Sequence, residues 1–506
     1  MTVEVQVEAV QVAEEPVKVA AVEVEKAVEE VKCEKDESKP KMVEKSSSYR
    51  EESNTLSDLK EHEKKALNDF KTKLEEAILG NTLFKKDEKK ACAKKPSNED
   101  EKKEECEKVA DKKEECEEEK KTNAGPEEKP DECSKPDECA KPEETEENEQ
   151  KQPEEEVVVD KDISIWGVPL LPGKGDDGTN VVLLKFLRAR EFKVNDALEM
   201  LKKTLQWRKE FKIDSILDEE FETDLASAAY MSGVGREGHP ICYNIFGVLD
   251  NEEIYEKTLA TEEKREQFLR WRVQLMERGI QNLDFKADGI NSLVQINDLK
   301  NSPGASKKEV RAAVNKAVAL LQDNYPEFVA KNIFINVPFW YFAFHSLLSP
   351  FLTQRTRSKL VFARSSKVTE TLLKYIPIQE IPIQYGGIKR ENDFEFSVSD
   401  GEATELVIKA GSTETIEIAT PEAGTTFIWD LMVQGWEVNY SEEFVPADEN
   451  SYTMIIQKGK KMSSDEAPVR KTFKNNEAGK IVLTVENCSG KKKKVFYRYK
   501  VKKACF

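Results

Sequence analysis

The acidic charge of this chain and its tryptophans occupy different stretches, and that partition limits where a folded core can form. All six Trp stand at Trp166 or later. Residues 1–150 carry 45 Asp and Glu against 29 Lys and Arg, a net charge of −16 out of the −19 of the whole chain. The remainder is close to neutral. A segment without Trp and dense in Glu and Lys buries too little apolar surface to offset the entropy of ordering. Residues 1–157 are therefore expected to be a disordered acidic tail, and the rest is long enough for two or more domains of ordinary size.

Within the tail, KKEEC recurs at Lys102 and Lys112, and PDEC at Pro130 and Pro136. Such short periods lie far below those of solenoid units and read as low complexity. One island is periodic: Leu56, Leu59, Ala66, Leu67, Phe70, Leu74 and Ile78 predict an amphipathic helix near residues 56–79. Its apolar face suits either packing on a folded body or docking on a partner or membrane surface. The first residues lack the basic patch and apolar run of a secretory signal. The longest apolar stretch, Val337 to Leu352, is shorter than a bilayer span and is interrupted by His345, Ser346, Ser349 and Pro350. Nine Cys with no CxxC and only three His fit free thiols in a reducing compartment better than disulfides or zinc. The expectation is a cytoplasmic protein, not secreted and without a transmembrane helix.

From Asn180 to Phe211 the apolar spacing predicts two helices joined at Phe192 to Asn195. Strand-like runs then alternate with helical ones: Ile241–Ile245, Glu262–Ile280, Leu293–Ile296, Val310–Gln322 and Ile333–Val337. This alternation predicts an α/β layer with a mostly parallel sheet. After Gly386-Gly387 the helical period gives way to short alternating runs at Thr415–Ile418, Phe427–Val433, Tyr452–Gln457, Ile481–Val485 and Val495–Val501. These predict an antiparallel β-sandwich, with a hairpin at Ser489-Gly490. The expected boundaries are 160–215 for a helical part, 216–391 for the α/β domain and 396–503 for the sandwich.

No enzyme is expected. Gly233-Val-Gly235-Arg-Glu-Gly238 matches GxGxxG, but the fingerprint needs a strand before it and a helix after it. Here Leu225 to Met231 reads as helical and Pro240 to Ile245 as a strand. None of His62, His239 and His345 has a recognisable nucleophile partner. Acidity and the lack of a basic stripe interleaved with aromatics oppose nucleic-acid binding. The segment from Pro338 to Leu352 is apolar on nearly every side, so it is either a core helix or a gate over an apolar cavity, with Phe339, Phe342, Phe344, Leu347, Leu348, Phe351 and Leu352 as pocket and gate residues. In the second case Arg355, Arg357 and Lys359 fall where membrane phosphates lie, each contributing about 1 kcal/mol on an anionic surface.

Phe186-Leu-Arg-Ala-Arg190 with Phe192, Gln322-Asp-Asn-Tyr-Pro-Glu327, the aromatic segment, Pro350-Phe-Leu352, Ser358-Lys359 and Tyr385-Gly-Gly387 follow in the order seen in CRAL-TRIO domains. Residues 180–387 resemble that lipid-exchange fold, found in phosphatidylinositol transfer proteins, and the β-rich remainder resembles a GOLD domain. The full arrangement is similar to the patellins. The resemblance implies a carrier whose ligand is a bound lipid, with no further cofactor and no metal. It implies headgroup contacts at Arg188 or Arg190 and Lys359, with ordinary helix-surface ion pairs as the other reading of the arginines. Where the family often has an acid in Pro-x-Glu-x-Leu-Pro, this chain has Pro377-Ile-Gln-Glu380-Ile-Pro382, so Glu380 is the candidate for inositol hydroxyls, displaced by one residue. Lys491, Lys492, Lys493 and Lys494 are candidates for anionic membrane contact, or simply a solvated face. The implied partners are phosphoinositides, anionic membranes and trafficking proteins met through the GOLD domain and tail. The implied role is lipid transfer or presentation in membrane traffic, extending to the cell plate in cytokinesis. A scaffold that senses phosphoinositides without transferring them fits the same residues.

Overall fold

The computed structural model describes residues 52–84, 162–173, 177–221, 224–303, 307–338, 354–397, 400–464 and 466–502. Most of the expected tail (1–51 and 85–157) lies outside the described residues. So do residues 339–352 of the gate segment, with Phe339, Phe342, Phe344, Leu347, Leu348, Phe351 and Leu352.

The fold opens with three helices, α1 (Glu61–Leu79), α2 (Asp177–Ala189) and α3 (Val194–Glu210). Leu67, Phe70, Leu74 and Ile78 of α1 are buried in one cluster with Leu183 and Leu187 of α2 and Leu201 of α3. This corrects the boundary expected at residue 160. The helix near 56–79 is part of the folded helical unit, because its apolar stripe is covered by α2 and α3. Trp166, on a small hairpin after residue 162, stacks on Phe186 and meets Phe328 edge-on at 4.6 Å between centroids, joining the helices to the next layer.

That layer is a five-stranded sheet in the order β1 (Ala229–Val234), β2 (Pro240–Ile245), β3 (Leu293–Asp298), β4 (Val329–Ile335) and β5 (Leu360–Phe362). The β1–β2 pair is antiparallel and the other three junctions are parallel. Helix α4 (Glu262–Ile280) joins β2 to β3, and α5 (Lys308–Asn324) joins β3 to β4. Successive strand residues face opposite sides. Ile241, Tyr243, Val294, Ile296, Ile333 and Ile335 pack on Val368, Leu372, Ile376 and Ile381. The alternate set, including Asn244, Gln295, Asn297 and Asn332, faces a cavity beneath α4 and α5. The stretch read as helical from Leu225 is a helix only to Ala228 and then becomes β1. Gly233 to Gly238 forms the tight β1–β2 connection, with Gly235 N donating to His239 O at 2.8 Å. No helix follows, so the phosphate cradle of a dinucleotide site is not formed.

The C-terminal strands are β6 (Thr404–Ile408), β7 (Thr413–Thr420), β8 (Thr426–Val433), β9 (Asn439–Pro446), β10 (Met454–Lys461), β11 (Val469–Lys474), β12 (Gly479–Glu486) and β13 (Lys493–Lys502). They make two antiparallel sheets, β11-β8-β13-β6 and β10-β9-β12-β7, around a shared core that contains Trp429, Tyr440 and Leu483. Strands β12 and β13 lie in different sheets. The Ser489-Gly490 turn is therefore a crossover and not the expected hairpin. Asn487 braces it, with Nδ2 donating to the Lys409 and Lys491 carbonyls at 2.9 and 2.8 Å.

A buried ion cluster fastens the sandwich to the α/β layer. Asp430 of β8, fully buried, accepts from Arg470 at 2.6 and 2.7 Å and from Arg498 at 2.8 Å. Both guanidiniums also reach Asp393, in the connecting segment, and lie over the Phe396 ring. Beside them Ile378 and Ile388 bury against Met432 and Phe496. Burial opposes ionisation of Asp393, but Arg470 and the Phe396 and Glu395 amides outweigh it and hold the carboxyl at about 2. Its contribution is thus present above the ordinary Asp range, near pH 3.9, and is lost as pH falls toward 2.

Two substitutions test this organisation. Phe70→Ala should lower stability in urea unfolding by about 3–5 kcal/mol, as expected for a buried aromatic; a loss below about 1 kcal/mol would mean α1 is only loosely attached. Asp430→Asn leaves two guanidiniums sharing one acid, and should cost about 3–5 kcal/mol while raising proteolysis between residues 388 and 396. Unchanged cleavage there would contradict a clamp at this position.

Candidate functional site

The polar side of the sheet, α4 and α5 enclose a cavity of about 700 Å³. Its inner walls mix apolar groups from α4 and α5, such as Phe268, Trp271, Val314 and Leu321, with a ladder of amides on the sheet. Asn244 Nδ2 donates to Asn297 Oδ1 at 3.1 Å, and Asn297 donates in turn to Asn332. The ladder crosses three adjacent strands and satisfies polar groups that would otherwise be costly to bury.

The mouth is built from charged residues on three elements. Pro326 and Glu327 precede β4, Arg188 ends α2, and Arg355 and Lys359 stand on α6 (Gln354–Lys359). Glu327 has φ of 55°, a left-handed conformation unusual for a non-glycine residue. Its carbonyl accepts from buried Lys185 of α2 at 2.9 Å, and Lys185 also donates to Asn291 O at 2.7 Å. Its carboxylate accepts from Lys359 Nζ at 2.5 Å and lies 3.7 Å from Arg355. Burial opposes the Glu327 charge, but Lys359, Arg355 and Lys185 outweigh it, so its pKa falls below the ordinary value. Two residues earlier, Tyr325 OH donates to Glu277 at 2.6 Å, and Arg208 Nη1 donates to the same carboxylate at 2.6 Å.

Arg188 is buried and turned toward the segment before α1. Its Nη1 donates to Asn54 Oδ1 at 2.5 Å, its Nη2 to Ser53 O at 2.7 Å, and its Nε lies 3.0 Å from Glu52. Burial lowers its pKa, with Glu52 partly offsetting the shift. Arg355 donates through Nη2 to both Glu52 oxygens at 2.8 Å and through Nη1 to the Arg188 carbonyl at 2.8 Å. Glu52 thus bridges the two guanidiniums at the mouth.

The structure brings Arg188, Arg190 and Lys359 together on one cavity lining, with Arg190 donating to its neighbour's carbonyl, Ala189 O, at 3.2 Å. Arg188 does make an ion pair, with Glu52, but from a buried position and not from the helix surface. Arg355 also belongs to the mouth: its guanidinium is engaged by Glu52 and the α2 terminus. Arg357 of the same short helix is exposed. Glu380 does not join the lining. It pairs with Lys389 at 2.7 Å and lies against Gly233, where an added Cβ would stand 2.6 Å from its carboxylate. The acids at the mouth are Glu52 and Glu327, the second of which closes the Gln322 to Glu327 motif and is not among the site residues expected from the sequence. Two of the four lysines, Lys491 and Lys492, are exposed on the crossover, whereas Lys493 pairs with Glu437 at 3.2 Å and Lys494 with Glu405. The basic run is therefore half neutralised by its own sandwich. Among the described residues no helix is long and apolar enough to cross a membrane.

A cavity lined by one face of an α/β sheet, a helical unit at its mouth and a following β-sandwich define a CRAL-TRIO protein that carries a GOLD domain. The CRAL/TRIO family model matches residues 226–387, that of its N-terminal domain residues 66–203, and the Patellin-1-like C-terminal GOLD domain residues 409–494. Patellin-4 of Arabidopsis thaliana is 54% identical over 92% of this chain and 91% of its own length, and Patellin-3 of the same plant is 51% identical over 68% and 70%. The chain belongs to the patellin family. It is also 29% identical to the phosphatidylinositol transfer protein SFH5 of Kluyveromyces lactis, over 48% of this chain and 80% of that protein.

The sign of the Glu327 shift gives a test. A carboxyl whose folded pKa is depressed stabilises the protein above its unfolded pKa, about 4.3 for Glu, and ceases to do so as pH falls through the folded value. Glu327→Gln should lower the thermal midpoint at pH 7 by the equivalent of about 1–3 kcal/mol. The difference from the unsubstituted protein should close at pH values below the ordinary carboxylate range. A gap that persists there would show that the effect is not the charge.

Proposed function

We propose that this chain carries one phosphoinositide-type lipid with its acyl chains in the 700 Å³ cavity and its headgroup at the mouth, and transfers or presents that lipid between membranes. The observation that carries the reading is the contact of Lys359 and Arg355 with Glu327 at the edge of an otherwise largely apolar cavity. Cations there suit a phosphodiester, and an ionised carboxylate beside them suits sugar hydroxyls, which donate hydrogen bonds. A volume of this size lies in the range of about 300–1,000 Å³ usual for ligand cavities. The phosphatidylinositol transfer protein of Kluyveromyces lactis, alike over the CRAL/TRIO region, supports the same reading. On this reading the lipid is the only bound cofactor, the chemistry is binding rather than catalysis, and the protein works in the cytoplasm and at membrane surfaces. The setting is membrane traffic, including delivery to the cell plate, with trafficking proteins as partners of the GOLD domain.

The test is transfer of labelled phosphatidylinositol and phosphatidylcholine between liposomes. Lys359→Ala and Glu327→Gln, each checked for folding by circular dichroism, should reduce phosphatidylinositol transfer about tenfold and phosphatidylcholine transfer much less. Equal loss of both lipids would remove the headgroup assignment. Binding of phosphoinositide liposomes with no transfer by the unsubstituted protein would instead favour a sensing scaffold.

A further inference from the structure

Helix α4 turns one stripe toward the cavity, formed by Phe268, Trp271, Arg272 and Met276. These positions follow the i, i+3, i+4, i+8 spacing of a single helix face. Three are apolar and the fourth is a guanidinium. Of the other arginines of α4, Arg265 pairs with Glu262 at 3.0 Å and Arg270 with Glu219 at 2.9 Å, while Arg278 is exposed to solvent. Arg272 differs. Among the described residues its guanidinium has no hydrogen bond or ion pair, and it lies only over the neighbouring Trp271 ring at 5.4 Å.

The Arg272 charge acts on the Cys242 thiol of β2, and the register neighbour of Cys242 on β3 is Gln295. Gln295 also lines the cavity, and its carboxamide has no partner among the described residues. Arg272 is half-buried, burial pushes its pKa down, and it lines the cavity. The acids of the mouth, Glu52 and Glu327, are already held by Arg188, Arg355 and Lys359.

We propose that Arg272 and Gln295 form a second, inner subsite of the cavity that takes the anionic oxyacid group, carboxylate or phosphomonoester, of an amphiphilic ligand. The inference rests on the reading of this cavity as a lipid site. An acyl chain that fills the cavity displaces water from Arg272 and leaves a buried charge unsolvated, which is costly. A ligand whose acidic group ends beside Arg272 replaces that water with a charge-assisted pair, and the Gln295 amide supplies a further donor. The inner site is thereby selective for charge, whereas the apolar walls select only for size.

The experiment uses the full chain and four probes: cis-parinaric acid, its methyl ester, fluorescently labelled phosphatidic acid and the matching diacylglycerol. The unsubstituted protein should bind at least one acid about tenfold more tightly than its neutral counterpart. Arg272→Met should bring that ratio close to one, Arg272→Lys should restore much of it, and Gln295→Leu should reduce it. Dependence confined to the parinaric pair identifies a carboxylate ligand, and dependence confined to the phosphatidic acid pair identifies a phosphomonoester. Equal affinity for acid and neutral probe in both pairs would overturn the proposal. So would an acid preference that survives Arg272→Met but disappears in Lys359→Ala, which would assign it to the mouth. Should Arg272→Met fail to fold, the Gln295→Leu and Arg272→Lys ratios decide the matter in its place. Absent phosphatidylinositol transfer by the unsubstituted protein would count against the outer headgroup site alone, since the acid-to-neutral ratio is read without it.

Discussion

The contact of Glu327 with three cations holds the mouth of the cavity together. Lys185 grips its carbonyl from α2, while Lys359 and Arg355 reach its side chain from α6. A non-glycine residue with φ of 55° costs of order 1 kcal/mol or more and persists only where its surroundings hold it. Here the charges do so, and they come from layers that apolar packing alone would leave free to slide. The pair of Arg208 and Tyr325 on Glu277 repeats the arrangement two residues earlier and ties α3 and α4 to the same segment. The position of the mouth is therefore set by directional, partly buried polar contacts, and the apolar core behind it supplies the bulk of the stability.

Much of the α/β layer was legible because periodicity reports burial directly. Glu262–Ile280 is a helix over the span that its spacing predicts, and the runs at Ile241, Leu293 and Ile333 each mark a strand of the sheet. Spacing was silent about partners. The stripe of α1 marks which face is covered, but its cover, α2 and α3, lies far along the chain. The amides Asn244, Gln295, Asn297 and Asn332 were a signal left unused: polar residues at every second position of otherwise apolar strands mark a face turned toward a polar or occupied space. Three sandwich strands were missed for a related reason. In β9 the inward position Glu442 is fully buried, receiving the Tyr440 hydroxyl at 2.9 Å, and this acid breaks the expected apolar alternation. Strand β11 reads as charged because Arg470 serves the interdomain clamp. The short β6, at the sheet edge, exposes most of its length.

The site residues show where motif reasoning reaches its limit. A resemblance can indicate that Arg188 and Lys359 converge, and they do share one lining. It cannot assign an acid by counting along Pro377 to Pro382, because the side chain of Glu380 is drawn toward Lys389 on the other flank of its loop. Burial and pairing decide which acid reaches the mouth. Glu327, held below the ordinary carboxylate range by its cations, stays ionised and accepts hydrogen bonds where Glu380 does not reach.

Charge pairing at the mouth also sets what an anionic group must displace in order to enter. Glu52 forms ion pairs with both Arg188 and Arg355, so an anion that contacts either guanidinium competes with a carboxylate already in place. Glu52 is exposed, so an anion that displaces it must offset the lost ion pairs while the carboxylate returns to water, and its net gain is small compared with filling an empty cationic pocket. Affinity at such a mouth comes largely from the acyl chains, at about 0.8 kcal/mol per buried CH₂. On the proposed reading, the polar contacts then discriminate between headgroups. The segment before α1 is consequently part of the site, although it stands about 270 residues from Glu327 in sequence, and the helical unit that carries it acts as one wall of the entrance as well as a support for the sheet.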